Sequence, residues 1–250
     1  MRSTQANATM MLLAAAATFA GSSQLAAAPG DGTLKQAKLI IEHNATDSDT
    51  GFQAFIDADG WERLEIVGPN GVVAEFLGRG PVNALGMTEL FLETTEPENA
   101  KMPVEQILAM FPEGEYTFRA TAAELGGNTG TMEGIAVLSH SIPAGVTLAE
   151  PAADAVVPNG ALTVRWEPSG KGLDGSPIEI IAYQLIIEKD EEPHPRMIGK
   201  RGLSMYLPAT VTEMTVAAEF FEPGTAYLWE VLAIEAGGNQ TLQSSAFKTE

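Results

Sequence analysis

Side chains in the C-terminal part of this chain alternate with a period of two, and that pattern constrains the fold more than any other feature. Leu162, Val164 and Trp166 are separated by Thr163 and Arg165. Ile181, Tyr183, Leu185 and Ile187 alternate in the same way, as do Trp229, Val231 and Ala233. A β-strand points successive side chains to opposite faces, so each run offers one apolar stripe to a core. Pro223-Gly224 and Gly237-Gly238-Asn239 supply turns between the runs. Short strands bounded in this way predict an all-β chain of antiparallel sandwiches, not a parallel α/β sheet.

The stretch from Gly30 to Gly145 carries the same punctuation. Lys38–Ile41 and Phe52–Ile56 are strand candidates. Trp61–Val67 and Val72–Leu77 flank Pro69-Asn70-Gly71, which is a hairpin signal. Glu115–Ala120 and Gly134–Leu138 predict a second pair, with Gly126-Gly127-Asn128-Thr129-Gly130 as its turn. Val104, Ile107, Leu108 and Phe111 have helical spacing, so a single short helix is expected there, ended by Pro112 and Gly114. Ser141–Gly145 reads as a linker. The expected organisation is residues 1–28 as a signal peptide, 30–145 as an N-terminal β-sandwich-like domain and 146–250 as a second β domain.

The N-terminal segment reads as an address. Met1–Ala28 has one charged residue, Arg2, followed by an apolar run of 11 residues from Met10 to Ala20 and a small-residue end at Ala26-Ala27-Ala28. That is the layout of an export signal, and the run is too short to span a bilayer. The expected location is secreted or periplasmic. The 250 residues include no cysteine, which excludes disulfides, thiolate metal sites and a cysteine nucleophile. Cleavage would change the net charge from −19 to −20. Residues 29–146 hold 18 acidic and 6 basic residues, and residues 147–250 hold 15 and 7. Both halves therefore repel phosphate, so neither nucleic acid nor an anionic membrane surface is an expected partner.

Residues 147–250 resemble a fibronectin type III domain. The residues that carry the likeness are Pro151, Trp166, Tyr183, the run Phe221-x-Pro-Gly-Thr-x-Tyr227 leading into Val231 and Ala233, and the final Ser245-x-Phe247-x-Thr249. The resemblance implies a seven-stranded Greek-key sandwich, with Trp166 between the sheets and Tyr227 forming a tyrosine corner. The stretch Lys189–Pro195 is longer and more acidic than such domains show. Phe111-Pro112-Glu113-Gly114-Glu115-Tyr116 echoes the later corner, which makes the first half a second Ig-like sandwich. The whole is similar to exported bacterial proteins that end in a fibronectin-like domain, a likeness that carries no activity.

Candidate chemistry is sparse. Asp47, Asp49, Asp57 and Asp59 could supply oxygens to calcium, but their spacing fails the EF-hand pattern, and solvated turns in an acidic protein are the simpler reading. No metal site or cofactor is assigned. His43, His140 and His194 are too few and too scattered for a zinc motif, and His43 and His194 read as surface residues. No Gly-x-Ser-x-Gly occurs, and the Ser139-His140-Ser141 string says nothing of a triad. Trp61 breaks the alternation with Leu64 and Ile66 by one residue, so it either packs in the core or stands out as a sugar-stacking platform. Asn44-Ala45-Thr46 and Asn239-Gln240-Thr241 match the glycosylation acceptor pattern. The expected function is non-enzymatic binding of a protein or envelope component. The rival reading is a carbohydrate-binding or enzyme-accessory module.

Overall fold

The computed structural model describes residues 32–250, so the expected signal peptide lies outside the described residues. The first half runs β1 (Gly32–Thr33), β2 (Gln36–Asn44), β3 (Asp49–Gly68), β4 (Gly71–Leu77), α1 (Pro81–Leu85), β5 (Met87–Glu93), α2 (Val104–Met110), β6 (Gly114–Ala122) and β7 (Thr131–Leu138). The second half runs β8 (Thr147–Glu150), β9 (Ala155–Val157), β10 (Leu162–Glu167), β11 (Ile180–Lys189), β12 (Gly202–Pro208), β13 (Glu213–Val216), β14 (Ala226–Glu235) and β15 (Gln240–Thr249).

The second half is a fibronectin type III-like sandwich. Strands β13, β10 and β8 form one sheet, and β12, β11, β14 and β15 form the facing one. The alternating residues meet between them: Val164, Trp166, Tyr183, Leu185, Ile187, Tyr227, Trp229, Val231 and Phe247 are all buried. Trp166 and Tyr183 pack edge to face, with ring centroids 5.5 Å apart. The Tyr227 hydroxyl accepts the Glu222 backbone N–H at 2.8 Å, closing the expected corner. The short β9 joins the edge of β15 in parallel.

The first half encloses a core of its own, but a single strand organises it. Phe52–Ile56 and Trp61–Val67 were expected as separate strands with a turn at Asp57–Gly60. They are instead one 20-residue strand, β3. Its first part pairs with β2 and β5, and its second part with β4 and β6. One strand therefore serves two layers, with Ile41, Phe52, Ile56, Leu64, Ile66 and Phe118 between them. The change of layer falls where the pairing register shifts, between Asp57 and Trp61 against β5 and between Trp61 and Arg63 against β6. Gly60 belongs to this crossing: its N–H bonds to Gly126 O at 3.2 Å, and a Cβ there would lie 2.6 Å from the Gly126 Cα. The register shift also decides between the two readings of Trp61, in favour of the core. The broken alternation is a β-bulge, which returns Leu64 and Trp61 to the same core, and Trp61 is fully buried.

Elsewhere the expected hairpins hold. β3 and β4 close at Gly68 and Gly71, and β6 pairs with β7 across the Gly-rich turn. The expected helix is α2, and a second short helix, α1, begins at Pro81, where proline suits a first turn. The early corner echo is also real: the Tyr116 hydroxyl donates to Pro112 O at 2.9 Å.

A polar seam and its acidic face

The stretch read as a linker is pinned. Ala144 N–H donates to Lys171 O at 2.8 Å, Leu173 N–H to Ile142 O at 2.9 Å, and Thr241 Oγ1 to Pro143 O. The two halves then join edge to edge, because β15 pairs in parallel with β2 through Gln240–Glu42, Thr241–His43 and Leu242–Asn44. One sheet thus runs through both sandwiches in the order β12-β11-β14-β15-β2-β3.

Asn239 holds this seam. It is 1% exposed, and every polar atom of its side chain is used. Its Oδ1 accepts Ile41 N–H at 2.8 Å, and its Nδ2 donates to Ser139 O at 2.9 Å and Ser141 O at 3.0 Å. The buried Glu235 carboxylate accepts the backbone N–H of Gly237 at 2.7 Å and of Asn239 at 3.0 Å, shaping the turn that delivers it. Asn239, singled out in the sequence only as a turn residue and a glycosylation match, is committed to structure. A Gly-Gly-Asn turn signals a bend but says nothing of what the amide will meet 100 residues away.

On the sheet face turned away from both cores, carboxylates gather around the seam. Glu42 is 3% exposed, and Gln240 Nε2 donates to it. Glu93 accepts from Gln53 Nε2 at 3.2 Å. Glu96 lies against Gly51, where a Cβ would come within 2.8 Å of its Oε1. Glu42, Glu93 and Glu96 each offer an oxygen within 4.8 Å of the others. Burial and mutual repulsion push the Glu42 carboxyl up to about 7 and that of Glu96 up to about 8. Glu230 on β14 rises to about 7 through burial, then the charges of Glu188 and Glu42. Among the described residues, none of Glu42, Glu93, Glu96, Glu188 and Glu230 forms an ion pair within 4.0 Å. Three carboxylates could hold a divalent cation only if other oxygens completed the six to eight that calcium takes.

The aspartates of the sequence reading do not converge. Asp49 and Asp57 sit eight positions apart on the extended part of β3, roughly 26 Å at about 3.3 Å per residue. Asp57 and Asp59 face Lys35, at 3.8 and 2.9 Å, while Asp49 lies at the other end, beside the seam cluster. The histidines part company too. His43 is buried, not on the surface, and its Nδ1 meets Thr50 Oγ1 at 3.0 Å. His140 Nε2 contacts Phe111 O at 2.8 Å, and His194 is exposed. The sequence reading missed Glu42, Glu93, Glu96 and Glu230, because acids at strand positions carry no spacing signal of their own.

No family model matches the chain, and no curated relative does. Among solved structures, a two-domain fibronectin type III segment of chicken tenascin is 14% identical and covers 86% of this chain and 99% of its own, with a TM-score of 0.31. The FN1–FN3 domains of chicken CNTN1 are 13% identical and cover 87% of this chain and 65% of their own, also with a TM-score of 0.31. A redesigned β-sandwich protein is 16% identical over 45% of this chain and 91% of its own, with a TM-score of 0.30. The fibronectin-like character of residues 147–250 rests on their own strand order and tyrosine corner.

Proposed function

We propose that this is an exported, non-enzymatic binding protein, secreted or periplasmic, that engages a protein or envelope component. The observation that carries this reading is the seam. Two sandwiches are fastened through Asn239 into one sheet, which presents a single preformed surface and lowers the ordering cost of binding. The chemistry elsewhere supports it. His43 and Thr50 do bond to each other, but both are buried where no substrate reaches them. The sugar-platform reading loses its residue, since Trp61 packs in the core. Among the described residues, no helix is long and apolar enough to cross a membrane.

The test is a crosslinking capture from the compartment where the protein resides, run beside a turnover panel. A stoichiometric partner that survives washing is expected. Turnover of a generic ester, glycoside or peptide by the purified protein would overturn the reading.

A further inference from the structure

We propose that this protein assembles head to tail: the edge strand β12 of one copy adds to the edge strand β5 of the next, so that one β-sheet continues from copy to copy. This goes beyond the binding reading above and does not depend on it.

The sheet that joins the two halves has two open ends. β12 pairs with β11 alone, and β5, on the far side of the first part of β3, pairs with β3 alone. Among the described residues, no other backbone hydrogen bond reaches Gly202–Leu207 or Met87–Glu93. Such an edge presents unpaired N–H and C=O groups to another strand, and proteins blunt it with lysine, proline or a bulge. β12 has none of these between Gly202 and Leu207, and it pairs with β11 without a register shift. β5 has neither lysine nor proline, and its pairing is regular from Glu89 to Glu93. The cores are unfinished at the same two places. Leu203, Met205 and Leu207 pack against the second core but stay half-buried, as do Leu90 and Leu92 against the first. An added strand would cover both sets.

The strand directions fit. From β12 to β5 the sheet passes through β11, β14, β15, β2 and β3, and the step from β15 to β2 is its one parallel step. β12 and β5 therefore run in opposite directions, and a second copy in the same orientation brings its β5 alongside β12 as an antiparallel neighbour. With Tyr206 set opposite Phe91, Met205 faces Leu92 and Leu207 faces Leu90 on the core side. The two rings, 45% and 37% exposed, meet on the other side, and aromatic cross-strand pairs stabilise sheets. The same register brings Arg201 level with Glu96.

The two ends are also opposite in charge. Residues 193–212 hold Arg196, Lys200 and Arg201 and no acid, whereas residues 80–100 hold Glu89, Glu93, Glu96 and Glu98 and no base. Two β5 strands paired about Phe91 would set Glu89 of each copy against Glu93 of the other, which like charge disfavours. Unlike edges match, so each added copy leaves one edge free and the series stays open.

The net charge of −19 repels copies at long range. The test is therefore sedimentation of the full chain at about 0.15 M salt, where the Debye length is about 8 Å and edges in contact decide. Average mass should climb with concentration past two copies, without a plateau. An inward-pointing lysine blocks an edge, because an added strand would bury its charge. Met205→Lys on β12 and Leu90→Lys on β5 should each weaken association at least about tenfold. Mixed together, the two variants keep one sound β12 and one sound β5 between them, and should form a one-to-one pair and nothing larger. Formation of that pair certifies that both variants fold. Hydrogen exchange of the unaltered chain needs no variant: amides of Gly202–Leu207 and Met87–Glu93 should gain protection together as concentration rises. A single copy at every concentration would overturn the proposal. So would a plateau at two copies, protection at one edge alone, or either lysine variant associating as the unaltered chain does.

Discussion

The two halves solve one problem differently. Each must bury an apolar face with no disulfide to help. In the second half each core strand stays within a single sheet, and Leu162–Trp166 and Tyr183–Ile187 keep their alternation from end to end. The first half bends β3 through both layers, and its alternation breaks between Trp61 and Leu64. The two corners differ as well. Tyr227 accepts a backbone N–H from Glu222, whereas Tyr116 donates to the carbonyl of Pro112. Similar local sequence thus closes two different corners, and the chain path decides which group the hydroxyl meets.

The sharpest way to break the comparison is to empty each core in turn. Trp61→Ala and Trp166→Ala should each cost about 3–5 kcal/mol in chemical denaturation, since both rings are fully enclosed. A loss below about 1 kcal/mol at Trp61 would mean that β3 does not organise the first half. Next comes the seam. Asn239→Ala leaves the Ile41 N–H and the Ser139 and Ser141 carbonyls without their partner, and should cost about 2–3 kcal/mol. It should also split thermal unfolding into two calorimetric transitions. A single unchanged transition would show that the halves are coupled by other contacts.

The corners come third. Tyr227→Phe strands a backbone N–H and should cost about 1 kcal/mol. Tyr116→Phe should cost less, because the Pro112 carbonyl keeps a second lone pair for water. Equal losses would erase the distinction drawn between them.

A pH effect should follow. Glu42, Glu96 and Glu230 hold protons more tightly folded than unfolded, so the native state binds more protons between about pH 4.5 and 8. The stability they contribute is complete below about 4.5 and is lost as the pH rises through 7 to 8. The melting midpoint should therefore fall from pH 5.5 to 8.5, and Glu42→Gln should flatten that slope. The smallest effect belongs to the exposed pair of Lys35 and Asp59, where Asp59→Asn should leave the midpoint unchanged.

Strands β2, β4, β6, β7, β10, β11 and β14, both hairpins of the first half and α2 were legible because each depends on neighbours in sequence, whereas β5, β12 and β13 carried no pattern that was read. Alternation alone put Trp166 and Tyr183 on apolar stripes, and the resemblance to fibronectin type III domains implied the corner at Tyr227. The long β3 was not legible, since Asp57-Ala58-Asp59-Gly60 has the composition of a turn. Gly60 is there because Gly126 approaches its backbone, which no local pattern shows. The seam acids were hidden for a related reason: Glu42, Glu93 with Glu96, and Glu230 come from three separate stretches.

By itself, the sequence determined the all-β class, the alternating cores and the acidity, because side-chain periodicity and charge are local properties summed along the chain. Only the tertiary structure decided that β15 would lie beside β2, that Asn239 would fasten the halves together, and that scattered carboxylates would share one desolvated face. Those outcomes depend on contacts nearly 200 residues apart, where pairing register and burial set the chemistry.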